Sequence, residues 1–365
     1  MSNKAFQIIP SEISQQEKPF KLKSSTLNQV NMKVKVLKDH YQESLIGGQD
    51  TAIAFKNETS YLIGTSDGAL KLIENNKIVY FDYLPGNQKF VRMIDEIFYA
   101  EHLDCYFFTM PYRLYRMEIG DKPPVLFIDY DVKALEMIQN FEYSRKNKRL
   151  IFSNSKIGVL NLSTKITEIE VERRYGDFCD FKLFGKHRLI GITYDSGESA
   201  YFLSLYRLSC SRGLLALMNE SRIEKLQDRN EIFDSLEVCD RNQYCLVELS
   251  GMNGRARYCS RMLIFEVSKG KLKLKVNFDV LTQKMARKRS LKCGGYSGKY
   301  LFWIGLSNKG MAHLCAFDTK RNELKELVDK SVAQPESEPS RIHKFGESLY
   351  YTGDWAKVVK LSIEY

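Results

Sequence analysis

Short apolar runs alternate with short polar breaks along most of the chain. The clearest stretch is Tyr61 to Tyr83, YLIGTSDGALKLIENNKIVYFDY. Its apolar runs, Tyr61 to Thr65, Ala69 to Ile73 and Lys77 to Tyr83, are separated by Ser66-Asp67-Gly68 and Glu74-Asn75-Asn76. Asp-Gly and Asn-Asn accept the positive φ that tight hairpin turns require. The stretch therefore predicts three strands joined by two turns.

The pattern recurs. Each unit has an opening strand, a polar turn, a strongly apolar strand, a second break and a third strand, with a fourth in most units. The first turn is easiest to follow: Lys56 to Thr59 before YLIGT, Glu101 to Asp104 before CYFFT, and Arg145 to Lys148 before RLIFS. It continues as Phe184 to His187 before RLIGIT, Asp240 to Gln243 before YCLVEL, Tyr296 to Lys299 before YLFWIGL, and Phe345 to Glu347 before SLYYTG. That makes about seven units at a period of roughly 40 to 57 residues, the range of propeller blades.

Fourth strands are expected at Lys77 to Tyr83, Val125 to Tyr130, Thr167 to Glu172, Lys271 to Phe278 and Glu323 to Val328. The fourth unit is irregular. Arg212 to Asp228 reads either as a strand with a long loop or as a short helix with Leu214, Leu215, Met218 and Leu226 on one side. The seventh unit ends at Tyr365 after three strands. Residues 1 to about 30 are polar and aperiodic, a tail with at most a strand at Phe6 to Ile9. Lys33 to Lys38 alternates Lys with Val and Leu, an edge-strand pattern. A ring of radial sheets exposes an unpaired edge unless it closes. The spare strand at the start and the missing one at the end are complementary. The expectation is an all-β chain: a seven-bladed β-propeller of four-stranded antiparallel sheets, closed by the strand at about residues 33–38 joining the C-terminal blade. It forms one domain over about 31–365. A pair of sandwiches or two small barrels would also give short alternating strands.

Two segments resemble the WD-repeat β-propeller family: Tyr61 to Glu74, with its strand–Asp-Gly–strand core, and Leu349 to Ile363. The resemblance spans about residues 51 to 365 in architecture. The family's closing Trp-Asp pair is absent, since third strands end in Ile73-Glu74, Val267-Ser268 or Phe317-Asp318. Gly-His pairs at unit starts are missing too. The family's His–Ser/Thr–Trp–Asp network is therefore not expected. The resemblance implies a rigid platform that binds other macromolecules, usually without catalysis.

Composition adds little to fold and something to function. Aromatic residues make up 12% of the chain, with 21 Tyr and 21 Phe, which favours strands. No apolar run reaches the roughly 20 residues needed to cross a bilayer, and no secretory signal is evident at the start. An intracellular, reducing compartment follows as the expectation, with the 8 Cys as thiols. Asn57-Glu58-Thr59 matches a glycosylation sequon that would be silent there. His102 and His187 fall in polar turns and are expected at the surface. No His pair, Cys-x-x-Cys, phosphate loop or nucleophile elbow is present, so no catalytic, metal or cofactor residues are assigned. A propeller enzyme with a site at the channel mouth stays open, because such sites draw on scattered loops.

The net charge of +10 admits an acidic partner. In a propeller, the loops joining second to third strands share a face with the loops between sheets. Tyr112, Arg113, Lys156, Arg255, Arg257 and Lys309 fall in the first kind. Arg173, Arg174, Arg287, Lys288 and Arg289 fall in the second. Trp355 follows in a turn on the same face. These residues are expected to converge on a basic, partly aromatic surface. It would take acidic protein segments, or alternatively the phosphate backbone of nucleic acid or another anionic surface. Solvated loops would look the same in sequence. Arg287 to Ser290 also fits a nuclear address or a kinase site. The leading expectation is a non-catalytic scaffold or adaptor holding other protein subunits.

Overall fold

The computed structural model describes the backbone of residues 28–36 and, from 50 to 363, all residues outside 66, 76, 85–93, 95, 111–112, 130–139, 154–156, 172–177, 210–213, 227–229, 240–242, 254–256, 280–291, 298–299, 307–311, 319–322, 329–338, 346–347 and 354–357. Within these, side chains are described at Phe345 and from 52 to 277, except 157, 166–171, 214, 234–235, 239 and 252–260. The expected strand at Phe6 to Ile9 lies outside the described residues.

Every regular element among the described residues is a strand. The first, β1, covers Asn28–Val36. Then β2 (Asp50–Asn57), β3 (Ser60–Thr65), β4 (Ala69–Glu74) and β5 (Lys77–Tyr83) form a four-stranded antiparallel sheet. The same order holds for β6 (Ile97–Ala100), β7 (Cys105–Met110), β8 (Arg113–Glu118) and β9 (Val125–Asp129). It holds again for β10 (Asn140–Ser144), β11 (Arg149–Ser153), β12 (Ile157–Asn161) and β13 (Ile166–Val171). A fourth sheet contains β14 (Phe178–Leu183), β15 (Arg188–Asp195), β16 (Ala200–Ser209) and β17 (Leu214–Glu224). A fifth contains β18 (Ile232–Cys239), β19 (Tyr244–Asn253), β20 (Arg257–Ser268) and β21 (Lys271–Asp279).

The remaining strands are β22 (Lys292–Ser297), β23 (Tyr300–Leu306), β24 (Ala312–Asp318), β25 (Glu323–Val328), β26 (Pro339–Phe345), β27 (Ser348–Gly353) and β28 (Val358–Ile363). They form one eight-stranded sheet with β1 between β25 and β28. Asn28 to Asn31 run parallel to Lys325 to Val328. Met32 to Val36 run antiparallel to Val359 to Ile363. The strand expected at 33–38 thus begins earlier, at Asn28, and its predicted last two positions lie outside the described residues. The ambiguous stretch after Arg212 is a strand: Leu214 pairs with Ser209 and the ladder continues to Glu224. No helix among the described residues is long and apolar enough to cross a membrane.

The apolar second strands follow from burial on both faces. In β7, Tyr106 and Phe108 pack with Leu62, Leu70 and Leu72 of the first sheet. Cys105 and Phe107 pack with Phe141, Leu150 and Phe152 of the third. In β11, Leu150 faces back while Ile151 joins Phe178, Phe181 and Leu189 of the fourth sheet. In β15, Ile190 and Ile192 join Leu236, Val247 and Leu263 of the fifth. The second, third and fourth sheets are therefore each a layer between two others, and each fully buried Leu, Ile or Phe contributes about 1.5–3 kcal/mol.

First strands of successive sheets touch in a cycle. β2 contacts β6, β10 contacts β14, β14 contacts β18, β18 contacts β22, β22 contacts β26, and β26 contacts β2. Between β6 and β10, the rings of Phe98 and Phe141 lie 5.3 Å apart. Between β26 and β2, those of Phe345 and Phe55 lie 5.7 Å apart.

The polar turns that mark the repeat in sequence bond to one another across sheets. Lys56 pairs with Asp104 at 2.8 Å, and Glu101 with Arg145 at 3.2 Å. Asn147 donates to the Lys186 carbonyl at 3.5 Å, and Arg188 to Gln243 Oε1 at 2.9 Å. Asp104, Lys148 and Gln243 end these turns at positive φ (47°, 55° and 58°). In the opening meander, Gly68 and Asn75 adopt the positive φ expected of them, 87° and 51°.

Candidate functional site

The innermost strands carry charge where sequence reading did not look. On β14, Asp180 and Lys182 are two residues apart and so share one face, with buried Phe181 on the other. A bulge between Phe178 and Asp180 sets this register against β15. Lys182 Nζ lies 3.6 Å from Asp180 Oδ1 and 3.1 Å from Glu142 Oε1 on β10. Glu96, just before β6, and Glu237, on β18, interact electrostatically with the same group. The cluster thus gathers four carboxylates and one ammonium from four successive sheets. These side chains are partly accessible, yet protein surrounds them.

Enclosure dominates their ionisation. Burial raises Glu142 to about 7; Lys182 draws it back and Glu96 pushes it further up. Burial raises Asp180 to about 6 and Glu237 to about 8, again against Lys182. Burial also opposes the Lys182 charge, but Asp180, Glu142 and the other carboxylates outweigh it and hold the ammonium well above its ordinary value. Near neutral pH the cluster therefore keeps one ammonium, while Glu142, Asp180 and Glu237 titrate close to that range. Beside it, a cavity of about 320 Å³ is lined by Glu96, Tyr99, Glu142, Tyr143, Arg145 and Phe345, among others. Among the described residues no group of three or more His, Cys, Asp or Glu is arranged to hold a metal ion.

One expected surface residue is packed instead. The His102 ring stacks on Tyr143, and its Nδ1 lies 2.9 Å from the Tyr143 hydroxyl. Burial, together with Lys148 and Arg149, lowers its pKa. Sequence placed His102 in a polar turn correctly but could not show that the next sheet's Tyr143 covers it. His187 is exposed as expected.

No family model and no curated protein matches the sequence. Solved structures do. The C-terminal WD40 domain of Sif2 aligns at a TM-score of 0.53 and 9% identity, covering 93% of this chain and 100% of that one. The WD40 β-propeller domain of Doa1 aligns at 0.53 and 7%, covering 93% and 98%. The fold is that of a WD40-type β-propeller. At these identities the likeness is one of fold, consistent with the missing Trp-Asp pairs.

Strand directions in the propeller put the loops joining second to third strands at the same end as the loops between sheets. Of the residues expected to form a basic face, Arg113 opens β8, where its Nε lies 3.3 Å from Asp129 Oδ1 of β9. Its charge is thus already paired across the strands. Arg257 opens β20. Tyr112, Arg173, Arg174, Arg255, Arg287, Lys288, Arg289 and Trp355 lie outside the described residues, as do Lys156 and Lys309. The acidic cluster was missed because three of its carboxylates stand alone among apolar neighbours, in Phe141-Glu142-Tyr143, Cys179-Asp180-Phe181 and Leu236-Glu237-Val238, and the fourth, Glu96, follows Asp95 ahead of a strand. A charge recurring inside predicted first strands was the available signal.

Proposed function

We propose that the protein is a non-catalytic scaffold: a single propeller of seven blades over about residues 31–365, following a polar tail and closed by β1. In this reading the eight-stranded sheet is two blades, β22 to β25 and β26 to β28 with β1, linked because β1 runs on from one edge to the other. The observation that carries the reading is the cycle of first-strand contacts. It makes a stiff ring whose loops and channel mouth are held in fixed relation, a geometry suited to displaying binding surfaces within an intracellular complex. The basic loop residues, Tyr112, Arg113, Arg173, Arg174, Arg255, Arg257, Arg287, Lys288, Arg289 and Trp355, would present one such surface to acidic protein segments. The test is affinity capture of the full chain with crosslinking and mass spectrometry, before and after nuclease treatment. Stoichiometric partner proteins that resist nuclease and crosslink to ring loops support the scaffold. Capture of nucleic acid with steep salt dependence supports the alternative reading, which the +10 charge favours.

The raised carboxylates favour a third reading, a propeller enzyme, because perturbed groups in a cleft mark candidate sites. Burial and the mutual proximity of the carboxylates, opposed by Lys182, account for the same shifts in an internal tie between blades. The scaffold reading therefore stands first.

A further inference from the structure

The outer edge of β9 is built differently from the other outer strands. It reads Val-Leu-Phe-Ile-Asp, and Val125 and Leu126 are 67% and 42% exposed. β9 ends its sheet, with β8 on one side and no described strand on the other. Charged side chains on an outer strand discourage a further strand from adding. β5 carries Lys77 and Asp82, β17 carries Glu220, Arg222 and Glu224, and β21 carries Lys271, Lys273 and Lys275. β9 has only Asp129, at its end and paired with Arg113.

Beside this edge, Lys122, Pro123, Val125, Leu126, Phe127 and Lys165 help line a groove of about 270 Å³. Lys165 reaches it from the β12–β13 turn of the next sheet, its Nζ 4.6 Å from the centre of the Phe127 ring. Glu118, on the groove wall, is engaged by Arg116 at 3.3 Å. Lys122 and Lys165 leave the wall cationic around an apolar floor.

We propose that this edge binds an extended, alternately acidic and apolar peptide segment of a partner protein as an added strand. The β9 backbone supplies the ladder, Val125, Leu126 and Phe127 take apolar side chains, and Lys122 and Lys165 meet the carboxylates. A second copy of the chain fits less well, because it would bring its own lysines against these. The proposal deepens the scaffold reading by naming one site and its partner chemistry.

The test titrates the full chain with a fluorescein-labelled peptide alternating Leu or Val with Asp or Glu, followed by anisotropy. Saturable binding is expected, weakened about tenfold or more by Leu126→Asp, and likewise by Lys122→Glu combined with Lys165→Glu. Methylating alternate peptide nitrogens should abolish binding in one register and spare it in the other, because an added strand pairs along one edge only. This readout uses the unsubstituted protein and so does not depend on how the variants fold. Absence of binding, equal affinity for the variants, or the same result in both methylation registers overturns the proposal. So does sedimentation showing a dimer that Leu126→Asp disperses. If the peptide fails while protein partners crosslink elsewhere on the ring, the scaffold reading stands and the edge site alone is withdrawn.

Discussion

Lys182 on β14 reaches the neighbouring sheet and sets its ammonium 3.1 Å from the Glu142 carboxylate on β10. The pair joins two sheets at their innermost strands, where Asp180, Glu96 and Glu237 add negative charge. Removing the ammonium leaves enclosed carboxylates without their counter-charge. Lys182→Met is expected to cost about 3 kcal/mol at pH 8, the low end for breaking a buried pair. The loss should shrink below pH 6, where the carboxylates take up protons. Denaturant unfolding of both proteins at the two pH values checks this. A loss independent of pH would assign Lys182 a packing role only.

The same cluster sets how stability varies with pH. Glu142, Asp180 and Glu237 have folded pKa values of about 7, 6 and 8, above ordinary values of 4.5, 3.8 and 4.5. Between those limits the folded chain holds more protons than the unfolded one. Stability from these groups is full below about pH 4 and is lost as pH rises through 6 to 8. His102, lowered in the fold, acts in the opposite direction below its ordinary 6.5. So does Asp104, whose exposure limits its effect. Three carboxylates outweigh them. Stability, followed by the thermal midpoint, should therefore fall from pH 5.5 to pH 8.5, and Glu237→Gln should reduce that loss of stability by an amount on the order of 1 kcal/mol or more. An unchanged slope in the variant would remove Glu237 from the account.

A second ion pair is more completely buried. Arg261 on β20 donates to Glu231 through Nε at 2.9 Å and Nη2 at 2.5 Å, and to the Glu224 carbonyl at 2.7 Å. Glu231 also accepts from the Leu226 backbone at 2.9 Å. The pair fastens the segment entering β18 to the third strand of the same sheet. Either Arg261→Met or Glu231→Leu leaves one charge uncompensated and is expected to cost about 3–5 kcal/mol. The double variant should cost well under the sum, since it buries no charge. A double-mutant cycle by urea unfolding measures the coupling; additive losses would contradict it.

How much of this was legible differs by element. Second strands were clear because two packed faces demand apolar residues at every position, as in Tyr106 to Phe108. Hairpin turns were clear because Gly68 and Asn75 advertise their backbone conformation. β17 was ambiguous because Leu214, Leu215 and Met218 suit a helix face equally well. Only pairing with β16 decides it. The charges on first strands were visible in sequence, but their meeting around Lys182 was not, because Glu142, Asp180 and Glu237 are far apart in sequence and come together only through the ring. Loops were read for charge, whereas the described charge constellation lies on first strands and, at Glu96, just before one.

Gly158 and Phe152 face each other across β11 and β12, and the ring occupies the space a side chain at 158 would need. A Cβ there would lie 2.3 Å from Phe152 Cζ. Phe152 is itself 4% exposed and packed among Phe98, Phe141 and Leu160, so it has nowhere to withdraw. Gly158→Ala is therefore expected to destabilise the chain by about 1–3 kcal/mol, as overpacking does. Phe152→Leu alone loses ring contacts and leaves a void, also destabilising. In the double variant the new methyl group fills part of that void. The two losses should then compensate, leaving the double variant more stable than the sum of the single changes predicts. A Cβ at Gly191 on β15 would likewise lie 2.3 Å from Phe178 Cε1, and Gly191→Ala should also destabilise. Thermal unfolding of the four proteins checks the relationship, and a neutral Gly158→Ala would show that the ring is free to move.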